Sequence, residues 1–220
     1  MMKIHSVGGS RYGSRCAIQI GAKGINVPIE HLPVPFPEDF RRKNPVGLVP
    51  VLEVDGKFLP ESQVICEFIE DLGDGPSLRP RDPFLLAEMR LLIRQYELYC
   101  DPALMLLYAP WRDQPGVPFA KALVEESRTQ FRQGLSLLEQ RLDGGKYAVG
   151  GTLSLADCAL MPPLFQSTLL FPTLGLDLPF ADMPLLDRYF QATATDPHVS
   201  LVLGQMEPPL REMFANLRCA

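Results

Sequence analysis

Residues 50–62 read Pro-Val-Leu-Glu-Val-Asp-Gly-Lys-Phe-Leu-Pro-Glu-Ser, and the pair near their middle decides the fold. Asp55-Gly56 is the strongest two-residue signal for a hairpin turn, because such turns need positive φ at both central positions. The flanking stretches 50–54 and 57–59 carry β-branched and large apolar residues, so they predict two antiparallel strands. From Ser62 onward the apolar positions Val64, Ile65, Phe68, Ile69 and Leu72 recur at helical spacing, so a helix follows the hairpin.

Working toward the N-terminus, residues 3–7 alternate like a short strand and run into Gly8-Gly9-Ser10-Arg11-Tyr12-Gly13, a loop of turn formers. Residues 14–23 predict a helix closed by Gly24. A second strand over 26–30 carries Pro28, which suits a sheet edge, and a short helix covers 37–43. The order is βαβα and then ββα. Residues 73–83, Gly-Asp-Gly-Pro-Ser-Leu-Arg-Pro-Arg-Asp-Pro, lose all periodicity, as linkers do. Beyond them, helical patterns run over 84–109, 119–142, 154–170 and 183–195. The expected organisation is an α/β domain over 1–74, a linker over 75–83 and an all-helical domain over 84–220.

Bulk properties narrow the function. The chain has 220 residues and a 46% hydrophobic content, enough for two packed domains. Its net charge of −5 offers no footprint for nucleic acid or an anionic membrane surface. No apolar run approaches the roughly 18 residues of a membrane span, and Met1-Met2-Lys3-Ile4-His5 lacks a signal-peptide core, so a cytoplasmic location is expected. The five cysteines show no C-x-x-C spacing, and His5, His31 and His198 are isolated, so no metal site is expected and the thiols read as reduced. The Gly8–Gly13 loop matches neither G-x-G-x-x-G nor G-x-x-x-x-G-K-[ST], which argues against a nucleotide-phosphate cradle.

Three motifs remain: Asn44-Pro-Val-Gly-Leu-Val-Pro-Val-Leu52, Pro60-Glu-Ser-Gln-Val-Ile65 and Gly150-Gly-Thr-Leu-Ser-Leu-Ala-Asp157. In this order and at these separations they resemble the cytosolic glutathione S-transferase superfamily, over nearly the whole chain. The resemblance implies a thioredoxin-like N-terminal domain with a mixed four-stranded sheet and an all-α C-terminal bundle. It also implies glutathione as co-substrate, a small electrophile as partner, and a homodimer. The first motif is similar to the family's cis-proline loop, where Val49 ahead of Pro50 pairs with the cysteinyl backbone of glutathione as an added strand would. The second is similar to the pair that holds the γ-glutamyl group, with Ser62 and the helix N-terminus taking the carboxylate and Glu61 facing the ammonium. An ordinary N-cap role for Ser62 is compatible with that. The third resembles a buried capping box, Ser154 with Asp157, whose role is folding.

The same resemblance places Ser10 where serine-type members carry the hydroxyl that activates the thiol. Tyr12 is a rival hydroxyl, or a pocket residue for the second substrate. Cys16 falls at an apolar core position and is not assigned as a nucleophile. Many relatives hold the glycyl carboxylate with Lys or Gln where this chain has Leu48; Arg11, Arg42 and Lys43 are the nearby substitutes. Maleylacetoacetate isomerases of the zeta type carry Ser-Ser-Cys where this chain reads Ser10-Arg11-Tyr12, and an arginine at the position of Leu169, so two features depart from that isomerase. The electrophile pocket is expected between the domains, with Tyr96, Tyr99, Tyr108 and Trp111 as candidates. The expected activity is glutathione conjugation, isomerisation or dehalogenation. The alternative is a non-catalytic regulator of the same fold, like the stringent-starvation proteins.

Overall fold

The computed structural model describes residues 2–114 and 116–219; Met1, with which the N-terminal reading began, lies outside them. Four strands form one mixed sheet in the order β2-β1-β3-β4, with β1 (Met2–Ser6), β2 (Ile29–His31), β3 (Val51–Val54) and β4 (Lys57–Pro60). β1 runs parallel to β2 and antiparallel to β3, and β3 pairs antiparallel with β4. The hairpin turns at Asp55 and Gly56 with φ of 48° and 79°, as the Asp-Gly pair requires. Ile4 and Leu52 stand opposite one another and share a face of the sheet, which joins the core with Cys16 and Ile18 of α1 (Arg11–Lys23) and Ile65 and Ile69 of α3 (Ser62–Asp71). A single turn, α2 (Phe40–Lys43), links β2 to β3.

Helix α1 begins at Arg11, three residues before the expected start, because Ser10 already caps it and glycine at 13 does not prevent helix in its first turn. Strand β2 lies later than expected, since Asn26-Val-Pro spans the approach to the sheet and pairing starts only after Pro28. The long helical pattern after residue 83 is interrupted: α4 (Pro83–Gln95) passes through a π-helical turn (Tyr96–Cys100) into α5 (Asp101–Asp113). Helix α6 (Lys121–Glu139) presses on that turn at Gly134, where a β-carbon would stand 2.3 Å from the Tyr99 carbonyl oxygen. Helices α7 (Leu155–Thr173) and α8 (Pro184–Thr193) follow. One helix is absent from the sequence expectation: α9 (Pro197–Phe214) contains Gly204, Pro208 and Pro209, yet it packs on both α1 and α7.

Two buried polar clusters fix the relative placement of these elements. The Ser154/Asp157 capping box forms at the start of α7, where Asp157 accepts from the Ser154 N–H (2.7 Å), the Ser154 hydroxyl (2.8 Å), the Ala148 N–H (2.8 Å) and the Tyr189 hydroxyl (3.0 Å). Glu70 of α3 accepts from Gln19 (3.1 Å), from the Ser77 hydroxyl (3.1 Å) and the Leu78 N–H (3.2 Å), and pairs with the Lys23 ammonium at 3.1 Å. The linker therefore follows a fixed path. Its Gly75 sits so close to the end of α1 that a β-carbon would meet the Lys23 carbonyl oxygen at 2.1 Å, and Leu78 is buried with its carbonyl accepting from the Leu155 N–H.

Candidate functional site

Strand register alone gathers three of the motif positions at one end of the sheet. Val51, the first residue of β3, pairs with His5 near the end of β1 and with Pro60 at the end of β4. The loop leaving β1 toward Ser10, the bend at Val49-Pro50 entering β3, and the Glu61-Ser62 step leaving β4 therefore emerge side by side. The Val49-Pro50 peptide is cis. Helices α1 and α3 pack against each other behind this end, and the Cys16 thiol lies 3.9 Å from the Ser62 carbonyl oxygen.

Ser10 is the N-cap of α1, and its hydroxyl oxygen accepts from the Gly13 N–H at 3.1 Å. A cap uses the oxygen's lone pair and leaves the hydroxyl hydrogen uncommitted. The capping role and a donor role toward an anion are thus compatible on one side chain, at the positive end of a 13-residue helix.

At α3 the structure moves the expected cap by one residue. Glu61 occupies the N-cap with φ of 73° and makes no side-chain cap bond, while Ser62, 6% exposed, is the first helical residue. A non-glycine residue at such φ costs of order 1–3 kcal/mol, a cost commonly found where backbone is arranged for a ligand. Since no side chain caps them, the first amides of α3 remain available to an anion.

Arg11 and Tyr12 lie elsewhere. Both turn from the sheet end into a buried network centred on Asp101, the residue that follows the π-helical turn. The Tyr12 hydroxyl donates to Asp101 at 2.5 Å, the Tyr96 hydroxyl donates to the same carboxylate at 3.1 Å, and the Arg11 guanidinium lies 3.0 Å from it. Burial, partly offset by Arg11, pushes the Tyr12 phenol up to about 12. Its one hydrogen is committed to Asp101, whereas the Ser10 oxygen accepts from the Gly13 N–H.

The Lys43 ammonium lies 5.7 Å from the centre of the Phe58 ring on β4. The cation the sequence reading passed over is Arg41, whose guanidinium lies 3.5 Å from the place a β-carbon of Gly47 would occupy. It therefore stands over the loop leading to Val49. That loop is held by Asn44, which donates to the Leu48 carbonyl (2.8 Å) and accepts from the Val46 N–H (3.1 Å). The buried Cys16 and Cys66 sulfurs are 3.9 Å apart, and Cys16 packs as a core residue, as its position in the sequence suggested.

A narrow apolar cleft with room for about 30 Å³ opens between Arg11 at the start of α1 and the helices α5, α7 and α9. Tyr108 and Trp111 form one wall with ring centres 5.6 Å apart, and Arg11 and Gln166 are its polar lining. Tyr96 is buried beneath it and Tyr99 is exposed to solvent, so two of the four aromatic candidates reach the cleft. A second cavity, about 740 Å³ of open space, lies between Gly8-Gly9, β2 and α9. Among the described residues no cluster of three or more His, Cys, Asp or Glu could hold a metal ion, and no helix is long and apolar enough to cross a membrane.

A thioredoxin-like sheet followed by a helical bundle, with a cis-proline bend beside the starts of α1 and α3, is a two-domain architecture of one defined class. Residues 4–77 match the glutathione S-transferase N-terminal domain and residues 121–192 match the glutathione S-transferase C-terminal domain. A glutathione S-transferase of Pseudomonas putida is 31% identical over 160 residues, 71% of this chain and 70% of that one. The maleylacetoacetate isomerase of Mus musculus is 30% identical over 161 residues, 67% of this chain and 69% of its own length. The crystal structure of a maleylacetoacetate isomerase from Methylobacterium extorquens AM1, with malonate and glutathione bound, superposes with a TM-score of 0.78 at 27% identity, covering 94% of this chain and 98% of that one. The chain belongs to the glutathione S-transferase superfamily and is a glutathione S-transferase-like enzyme.

Proposed function

We propose that this enzyme binds glutathione at the exposed end of the sheet, activates its thiol with Ser10, and directs the thiolate at a small electrophile in the adjoining cleft. The observation that carries the reading is the uncommitted Ser10 hydroxyl hydrogen, presented beside the cis Val49-Pro50 bend and the uncapped start of α3. Val49 pairs with the cysteinyl backbone. Ser62 and the α3 amides take the γ-glutamyl carboxylate, and Glu61 faces its ammonium. Arg41, over the loop leading to Val49, is the cation assigned to the glycyl carboxylate in place of the missing Lys or Gln at 48; Arg11 is engaged with Asp101 and Lys43 lies over the Phe58 ring.

A free thiol with pKa near 8.5 is only a few per cent ionised at pH 7, and lowering it by about two units takes roughly 2.7 kcal/mol of preference for the anion. One hydrogen bond to a charged atom contributes roughly 1.5–3 kcal/mol, and a helix N-terminus about 0.3–1 more. The proton leaves to solvent. The sulfur electron pair then forms a bond to the electrophilic carbon, and either a leaving group departs with its bonding pair or a double bond opens and its far carbon is protonated by water.

The test has two arms. The protein should be retained on immobilised glutathione and eluted by free glutathione, and it should conjugate a standard aryl halide. No retention, together with no thermal shift at millimolar glutathione, would instead support a non-catalytic binding protein. A homodimer is part of the proposal: Phe58 on β4, Val64 on α3 and Leu98 and Tyr99 on the π-helical turn are exposed, and Arg15 ties the last two elements together through Gln63 and Glu97. Light scattering at the mass of one chain would contradict it.

A further inference from the structure

Ser10 has few means of holding its own place. It stands in Gly8-Gly9-Ser10-Arg11-Tyr12-Gly13, where Gly8, Gly9 and Gly13 carry no side chain and Gly9 takes φ of 74°. Anchorage falls to Arg11 and Tyr12, which open α1, and both grip Asp101. The Tyr12 hydroxyl donates to one oxygen of that carboxylate at 2.5 Å. The other oxygen accepts from Arg11 Nε at 3.1 Å and from the Tyr96 hydroxyl at 3.1 Å, and lies 3.0 Å from Arg11 Nη2. Nη2 also donates to the Tyr12 hydroxyl at 3.1 Å, which closes the ring of bonds. Arg11 is 7% exposed and the Asp101 side chain 16%, so water competes little for these contacts. The π-helical turn is what makes Asp101 available. In an α-helix the neighbours on one face are three and four residues apart, whereas a π-helical turn bonds i to i+5. The Asp101 N–H accordingly bonds the Tyr96 carbonyl, and the two side chains meet.

We propose that Asp101 is a positioning residue for thiol activation: through Tyr12 and Arg11 it sets where the Ser10 hydroxyl stands relative to the sulfur of bound glutathione. The inference rests on the reading of Ser10 as the donor to that sulfur and names what aims it. Hydrogen bonds weaken steeply with angle, and a reacting group misplaced by about 1 Å through a distant substitution can lose about 100-fold in rate. A direct charge effect has the opposite sign. A carboxylate near the sulfur disfavours the thiolate, so removing it while Arg11 keeps its charge would lower the pKa of the bound thiol; loss of aim raises it.

An ultraviolet titration of bound glutathione separates the two. Tyr12→Phe removes one bond and no charge, and Asp101→Asn removes the charge and keeps the shape. Each should raise the thiolate midpoint by about half to one pH unit and lower turnover below it about three- to tenfold. Glutathione affinity should hold within about twofold, because Val49, Glu61 and Ser62 are untouched. Added to Asp101→Asn, Tyr12→Phe should bring under about twofold more, since the two act through one set of contacts. A midpoint that falls in Asp101→Asn, a midpoint unmoved in Tyr12→Phe, or a double variant in which the two losses multiply in full would overturn the positioning role; the last would put the Tyr12 hydroxyl on the sulfur itself. Tyr12→Phe alone decides the matter if Asp101→Asn does not fold. Ser10→Ala run beside them keeps the two readings apart. A midpoint unmoved by Ser10→Ala refutes the donor role of Ser10, whereas one that moves with Ser10→Ala and not with Tyr12→Phe refutes only the aim set by Asp101.

Discussion

Replacing Ser10 by alanine removes two interactions that can be separated by experiment. The first is the cap: the 3.1 Å bond from the Gly13 N–H disappears, which costs roughly 0.5–2 kcal/mol of stability. For a chain of this size that is a fall in Tm of about 1–8 °C. The second is the donor to sulfur, worth roughly 1.5–3 kcal/mol for a charged acceptor, which raises the pKa of bound glutathione by about one to two units. Turnover at pH values below that pKa should drop about 10- to 100-fold. The assay is an ultraviolet titration of the bound thiolate in the wild type and in three variants. Ser10→Thr keeps cap and hydroxyl and should hold the titration near the wild-type midpoint. Ser10→Asp keeps the cap but sets a carboxylate beside the sulfur, so it should be stable and shift the midpoint upward by more than alanine does. If Ser10→Ala leaves the thiolate midpoint where it was, the hydroxyl is only a cap and the proposed activation is wrong.

Three other outcomes test the framework around the site. Gly134→Ala places a methyl group 2.3 Å from the Tyr99 carbonyl and should cost about 1–3 kcal/mol by overpacking, read as a lower midpoint in urea; an unchanged midpoint would mean that α6 can slide off the π-helical turn. Glu70→Ala strands the buried Lys23 ammonium and should cost roughly 3–5 kcal/mol, whereas Glu70→Ala with Lys23→Met together should recover much of it; a double variant no better than the single would refute the pairing. Burial raises the Asp157 carboxyl from its usual 3.8 to about 6 despite its four donors. The native state therefore keeps a proton that the unfolded chain has already released, so this group's contribution to stability is fully present below about pH 4 and is lost as the pH rises through about 6. The stability difference between wild type and Asp157→Asn should shrink by up to about 3 kcal/mol across that window, and a pH-independent difference would contradict the assignment.

How much could be read from the sequence follows the range of the interactions involved. The hairpin and α3 were legible because Asp55-Gly56 and the Val64 to Leu72 periodicity are local signals. The Ser154/Asp157 box was legible for the same reason. Helix α9 was not, because Pro208 and Pro209 read as a break, although packing on α1 and α7 holds the helix through them. The π-helical turn leaves no mark in apolar spacing, yet it delivers Asp101 to the site. Arg11 was assigned to glutathione from its place in the loop, but its partners Asp101 and Gln166 are 90 and 155 residues away, beyond any sequence pattern. Arg41 differs from Arg42 in nothing the sequence displays. Only the course of the loop over Gly47 distinguishes them.

The clasp that Glu70 makes around Ser77 and Leu78 means that the two halves of this molecule meet at a weld, stitched on one side to α1 and α3 and on the other to α7. The slit beside Trp111 is also lined by Met213, Phe214 and Leu217, and the segment that carries them is bonded back through the Phe119 N–H to the Arg218 carbonyl. Substitutions at Met213, Phe214 and Leu217 should therefore change which guests the slit admits.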